Sequence, residues 1–123
     1  MHALIVDDST TMRMILKAHL KKLGFEVTEA INGVDALDRL KTMATADLVM
    51  VDWNMPEMDG LTFIRAVRTE VAYAALPMMM VTTNTDRAHV AEALDAGANE
   101  YIMKPFTRDM IREKLEILGL LVE

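Results

Sequence analysis

Between residues 47 and 52 the chain runs Asp47-Leu48-Val49-Met50-Val51-Asp52. The apolar run is too short for a helix and does not alternate with polar residues, so it predicts a strand with both faces covered. Strands of that kind lie inside parallel sheets flanked by helices. Two more runs have the same character. Ala3-Leu4-Ile5-Val6 lies near the start, and Met78-Met79-Met80-Val81-Thr82 follows Pro77.

Helical patterns fill the spaces between these runs. From Ser9, a residue suited to capping, apolar residues fall at Met12, Ile15, Leu16, Leu20 and Leu23, and Lys21, Lys22 and Gly24 suit a helix end. Phe25, Val27 and Ala30 alternate loosely with Glu26, Thr28 and Glu29, giving the weakest strand pattern of the set. After the Asn32-Gly33 turn, Val34, Leu37 and Leu40 mark a second helix, and Leu61, Ile64, Val67 and Val71 a third. Val90, Ala93, Leu94 and Gly97 suggest a fourth, Tyr101-Ile102-Met103 a fifth strand, and Thr107 caps a last helix through Ile111, Leu115 and Leu118. Strand–helix alternation repeated five times predicts an α/β, (βα)5 doubly wound sheet of five parallel strands. Right-handed crossovers leave few topologies, of which the order 2-1-3-4-5 is a common one.

Length and composition agree with one domain over residues 1–123, large enough to bury roughly two-thirds of its unfolded surface without a disulfide or metal staple. The absence of cysteine excludes thiol chemistry, and with no signal-peptide pattern after Met1 and no apolar run near the roughly 20 residues of a membrane span, a cytoplasmic protein is expected. A net charge of −6 argues against nucleic acid as a partner. The twelve methionines are expected to fill core gaps rather than bind metal.

In the order 2-1-3-4-5, ligands bind beyond the carboxyl ends of the strands, where the order reverses beside strand 1. Asp7-Asp8 follow the first strand and Asp52 the third, so three carboxylates converge. An isolated aspartate after a strand commonly caps the next helix. A pair meeting a third carboxylate from a distant strand repels it, and a hard divalent cation with oxygen ligands compensates; Mg²⁺ is the usual ion where phosphate is handled. Thr82 at the end of the fourth strand and Lys104 after the fifth add a hydroxyl donor and a cation to the same edge, the set needed to hold a phosphoryl group on a carboxylate. His2, His19 and His89 show no ligand spacing and are expected to be surface or structural residues.

Asp7-Asp8, Asp52 within Val51-Asp52-Trp53-Asn54-Met55-Pro56-Glu57-Met58-Asp59-Gly60, Thr82, and Lys104-Pro105-Phe106 together resemble a response-regulator receiver domain, over essentially the whole chain. The resemblance implies a CheY-like fold, of the flavodoxin-like class, and a two-component signalling role. Asp52 then matches the phosphoacceptor, fed by a sensor histidine kinase or a small phosphodonor. Asp8 matches the direct Mg²⁺ ligand, Asp7 assists through water, and the main-chain carbonyl of Asn54 joins them beside Asp52. Thr82 and Lys104 match the residues holding the phosphoryl oxygens, Pro105 a proline after a cis peptide bond, and Asn54 and Asn84 positions that tune hydrolysis. Such a protein is not a turnover enzyme, although weak Mg²⁺-dependent self-phosphorylation and autodephosphorylation go with it.

Tyr101 matches an aromatic that moves inward with Thr82 and changes the surface of the fourth helix, fifth strand and fifth helix. Asp52-Trp53-Asn54-Met55-Pro56 and the segment Glu113-Lys114-Leu115 with Leu118-Gly119 are similar to chemotaxis receivers of the CheY type. A monomer docking on a protein such as a flagellar motor switch component, and open to a phosphatase, is the corresponding expectation. Two positions depart from that type: Thr83, where a smaller alanine is usual, narrows access to Asp52, and Asn84 replaces a residue often acidic. A phosphorelay shuttle and a receiver belonging to a larger regulator remain alternatives. A haloacid-dehalogenase reading is disfavoured because Asn54 stands where a general-acid aspartate is needed. A flavodoxin reading fails because Asp7-Asp8 would repel its phosphate, and no Walker glycine loop is present.

Overall fold

A computed structural model describes residues 1–83 and 87–121. β1 (His2–Val6), β2 (Glu26–Ala30), β3 (Leu48–Asp52), β4 (Met78–Thr82) and β5 (Glu100–Met103) pair in the order β2-β1-β3-β4-β5, every pair parallel. They alternate with α1 (Thr10–Lys22), α2 (Gly33–Thr42), α3 (Gly60–Arg68), α4 (Arg87–Ala96) and α5 (Arg108–Ile117). The doubly wound α/β fold and the strand order expected above are therefore those observed. Val6 lies opposite Val51, Asp52 opposite Val81, and Thr82 opposite Met103. This register brings the carboxyl ends of β1, β3, β4 and β5 level on one edge.

Alternate residues of each strand feed two separate cores. Leu4, Val6, Val49, Val51, Met78 and Met80 pack under α2, α3 and α4, while Ile5, Leu48, Met50, Met79 and Val81 pack under α1 and α5. Each large apolar side chain buried this way contributes about 1.5–3 kcal/mol, against about 1 kcal/mol for a helix cap. The cores thus drive folding, and the caps fix where helices begin: Ser9, Asn32, Asp59 and Thr107 accept from the amides of Met12, Asp35, Thr62 and Met110.

Four positions expected on apolar faces lie outside them; Ile15 is exposed because α1 turns Leu16 and Leu20 inward. Val71 is 91% exposed because α3 ends at Arg68 and Val71 belongs to a separate 3-10 turn, Val71–Tyr73. Val34 is exposed because α2 turns Gly33, Ala36 and Leu40 inward; Gly33 admits Met58, whose Sδ would lie 2.7 Å from an added Cβ. Leu94 is exposed because α4 approaches the sheet through Ala93 and Ala96. The methionines also divide: Met50, Met78, Met79 and Met80 are fully buried, whereas Met14, Met103 and Met110 are exposed.

Candidate functional site

The β1–α1 loop carries Asp7 and Asp8. The Asp7 amide donates to the carbonyl of Ala30 at 3.1 Å, continuing the β1–β2 ladder, and this holds the side chain inside, 1% exposed. Its Oδ1 accepts from the Ser9 amide at 2.8 Å. Among the described residues no group hydrogen-bonds to its buried Oδ2. Asp8 is exposed beside it, and Asp52, buried, closes the cluster from the end of β3. One oxygen from each of the three carboxylates lies within 4.8 Å of the others. At that separation two unit charges repel by roughly 3–4 kcal/mol at an effective dielectric near 20.

Lys104, placed by the end of β5 and followed by a cis peptide bond to Pro105, reaches both buried carboxylates. Its Nζ lies 3.3 Å from Asp52 Oδ1 and 3.7 Å from Asp7 Oδ2. One ammonium between two buried carboxylates does not balance them. Burial pushes the Asp7 carboxyl above its usual range, against the Ser9 amide, with Asp52 adding to the rise. Burial also raises the Asp52 carboxyl, opposed by Lys104 and the Asn54 amide. An all-oxygen donor set with a buried oxygen that lacks a hydrogen bond among the described residues, and with surplus negative charge, fits a hard divalent cation.

The β3–α3 loop is drawn close to Asp52. The Gly60 amide donates to the Trp53 carbonyl at 2.9 Å, and a Cβ on Gly60 would stand 2.5 Å from the Asp52 carbonyl oxygen. Only glycine lets α3 start there. Between Pro56 and Met58 the chain makes a tight turn, with a 2.7 Å hydrogen bond across it and Glu57 at φ 68°. Thr82 is buried at the end of β4, and it lines a cavity of about 180 Å³ with Trp53, Asn54, Thr83 and His89. Tyr101 is half-buried on β5, packed against the core under α2, α3 and α4; Lys114 Nζ stands 4.7 Å from its ring centre and pairs with Glu100 at 3.0 Å. A shallow hollow beside Tyr101 is lined by Arg87, Val90, Ala91 and Leu94.

The structure thus brings Asp7, Asp8, Asp52 and Lys104 together and sets Asn54 and Thr82 beside them, while Tyr101 lies apart; Asn84 falls outside the described residues. The acidic cluster includes no histidine among the described residues. His19 packs edge-on against Phe106, and burial with nearby Arg108 lowers its pKa. His89 was not singled out by spacing, yet its ring meets Trp53 at 5.2 Å, beside the cavity. Arg13, whose Nη1 donates to the Asp7 carbonyl at 2.7 Å, is likewise invisible to spacing, because a basic residue on an amphipathic helix gives no signal of what it reaches.

A doubly wound sheet with three carboxylates and a lysine at its carboxyl edge agrees with the receiver class that the sequence resembles. The chain belongs to the response regulator receiver domain family, whose family model matches residues 3–116. It is 46% identical over 119 residues to the chemotaxis protein CheY1 of Helicobacter pylori, covering 96% of each chain. It is 49% identical over 121 residues to the chemotaxis protein CheY homolog of Campylobacter jejuni, covering 97% of this chain and 93% of that one. Among solved structures it is similar to chemotaxis protein CheY4 of Vibrio cholerae, at TM-score 0.89 and 32% identity, covering 95% and 97% of the two chains. No helix among the described residues is long and apolar enough to cross a membrane.

Proposed function

We propose that this single receiver domain, residues 1–123, takes a phosphoryl group onto Asp52 from a sensor histidine kinase and reports it through the surface around Tyr101. The observation that carries this reading is the convergence of Asp7 and Asp8 from β1 with Asp52 from β3, Lys104 reaching both Asp7 and Asp52. In the reaction a carboxylate oxygen of Asp52 attacks phosphorus and the P–N bond of the phosphohistidine breaks. The imidazole leaves with the electron pair and takes up a proton. Lys104 holds an oxygen of the transferring group from its place beside Asp52, and the Thr82 hydroxyl serves the adjacent one. Asp7, Asp8, Asp52 and the Asn54 carbonyl would hold Mg²⁺, which supplies charge neutralisation to the transferring group. Hydrolysis returns inorganic phosphate and the free carboxylate, with Asn54 and Asn84 setting its rate and a phosphatase able to assist.

Drawing Thr82 toward the phosphoryl oxygens empties space that the Tyr101 ring can enter, which biases a two-state surface. A cytoplasmic, monomeric messenger docking on a flagellar motor switch protein fits the chemotaxis proteins to which the chain is similar. The test follows fluorescence of Trp53, the single tryptophan, on adding Mg²⁺ and then acetyl phosphate, with intact mass read in parallel. A metal response followed by a phosphoryl mass addition that Asp52→Asn loses is expected. Mass addition to Asp52→Asn at the wild-type rate would overturn the assignment.

A further inference from the structure

We infer that Arg13 is a positioning residue for the metal site, acting through the backbone of Asp7; the inference rests on the Mg²⁺ reading above. Arg13 lies one turn into α1, and its side chain is only 13% exposed. Its Nη1 donates to the main-chain carbonyl of Asp7 at 2.7 Å, its Nε to Glu29 Oε1 on β2 at 3.3 Å, and its Nη2 to Thr10 Oγ1 at 3.4 Å. The other Glu29 oxygen pairs with Lys17 at 3.3 Å, so the carboxylate that aims Arg13 is itself held from two sides.

The Asp7 carbonyl belongs to the peptide that joins Asp7 to Asp8. Rotating that peptide would swing the exposed Asp8 carboxylate away from the two buried ones. Ser9 pins the Asp7 side chain and Ala30 its amide, and Arg13 fixes the remaining polar group of the residue. A planar guanidinium suits the task because it serves three acceptors in different directions without titrating. Groups that orient a metal ligand from behind characteristically change metal affinity by about 10–100-fold when removed.

The sign of the effect separates positioning from charge. Arg13 is a cation near a cation site, so on Coulombic grounds its removal should tighten Mg²⁺ binding. Positioning requires the opposite. Mg²⁺ titrations read by Trp53 fluorescence, alongside thermal unfolding without metal, are expected to show Arg13→Met weakened about tenfold. Arg13→Lys keeps the charge but not the fork and should lie between wild type and Arg13→Met. Glu29→Gln should lower affinity less than Arg13→Met, and combining the two should add little. If Arg13→Met does not fold, Arg13→Lys and Glu29→Gln carry the test. Wild-type or tighter affinity in folded Arg13→Met, or wild-type affinity in both milder variants, overturns the inference. A wild-type protein that gives no metal response by fluorescence or calorimetry overturns the metal reading itself, and this inference with it.

Discussion

At the amino end of the sheet, Arg68 closes the gap between α3 and the α4–β5 turn by donating to the carbonyls of Gly97 and Tyr73 and to Asn99 Oδ1, at 2.7–3.0 Å. The same Asn99 oxygen accepts the Met78 amide at 2.9 Å, and Asp47 Oδ2 accepts that of His2 at 2.8 Å. At the carboxyl end, two buried carboxylates share one lysine, and a buried oxygen lacks a hydrogen bond among the described residues. One end spends its polar groups on closing the fold. The other keeps them poorly matched, as the proposed binding of a cation and an oxyanion there requires. The difference implies that substitutions at the two ends should have opposite effects on stability and on ligand binding.

The largest stability effect is expected from Arg68→Ala. It removes donors from several backbone and side-chain acceptors at once and should cost about 3 kcal/mol in urea unfolding. The folded fraction should keep wild-type Mg²⁺ affinity, because the hydrogen bonds of Arg68 among the described residues go to Gly97, Tyr73 and Asn99 at the amino end. A loss of affinity equal to that of a carboxylate variant would break the contrast between the ends.

Asp7→Asn should do the reverse. Without Mg²⁺ at neutral pH it is expected to stabilise by about 1–2 kcal/mol, by removing a buried charge that its surroundings undercompensate, while weakening Mg²⁺ binding at least tenfold. The pH dependence follows from the same imbalance. Asp7 and Asp52 have folded pKa values above their ordinary 3.8, so the folded state holds their protons more tightly than the unfolded chain. Their contribution is most favourable below 3.8 and is lost as pH rises through the raised values. Measured without metal, the stability of wild type relative to Asp7→Asn should therefore fall from acid toward neutral pH, and Mg²⁺ should shrink the fall. A difference independent of pH would remove the electrostatic explanation.

How far the sequence foretells these ends also differs. Strand order and the convergence of Asp7, Asp8, Asp52 and Lys104 could be read early, because runs such as residues 48–51 report burial on both faces and because strand-end positions are set by topology. Arg68, by contrast, reads as an ordinary charge at a helix end, since its acceptors are two backbone carbonyls 5 and 29 residues away and a side-chain oxygen 31 residues away. Helix faces were legible only where large residues did the packing. In α4 the contact is made by Ala93 and Ala96, of which periodicity picks out Ala93 but sets the exposed Leu94 beside it. Val71 was misplaced because periodicity cannot register the end of α3 at Arg68.

Backbone strain provides the smallest and sharpest test of the comparison. Positive φ occurs at Gly24, Gly97 and Gly119, each following a helix at the amino end, where glycine meets it without penalty. At the carboxyl end it falls on Glu57, φ 68°, in the tight turn between Asp52 and α3. A non-glycine residue there costs roughly 1 kcal/mol, partly offset in a glycine variant by the greater freedom of the unfolded chain. Glu57→Gly should therefore stabilise by about 0.5 kcal/mol in urea unfolding. Its consequence for the site should run the other way: a looser turn no longer holds the Asn54 carbonyl and the Trp53 ring in place, so Mg²⁺ affinity should drop about twofold to threefold, less than for a direct ligand. A gain in stability with no change in affinity would mean that the strain serves only to start α3, and that stability and ligand binding oppose each other at Asp7 but not in the neighbouring loop.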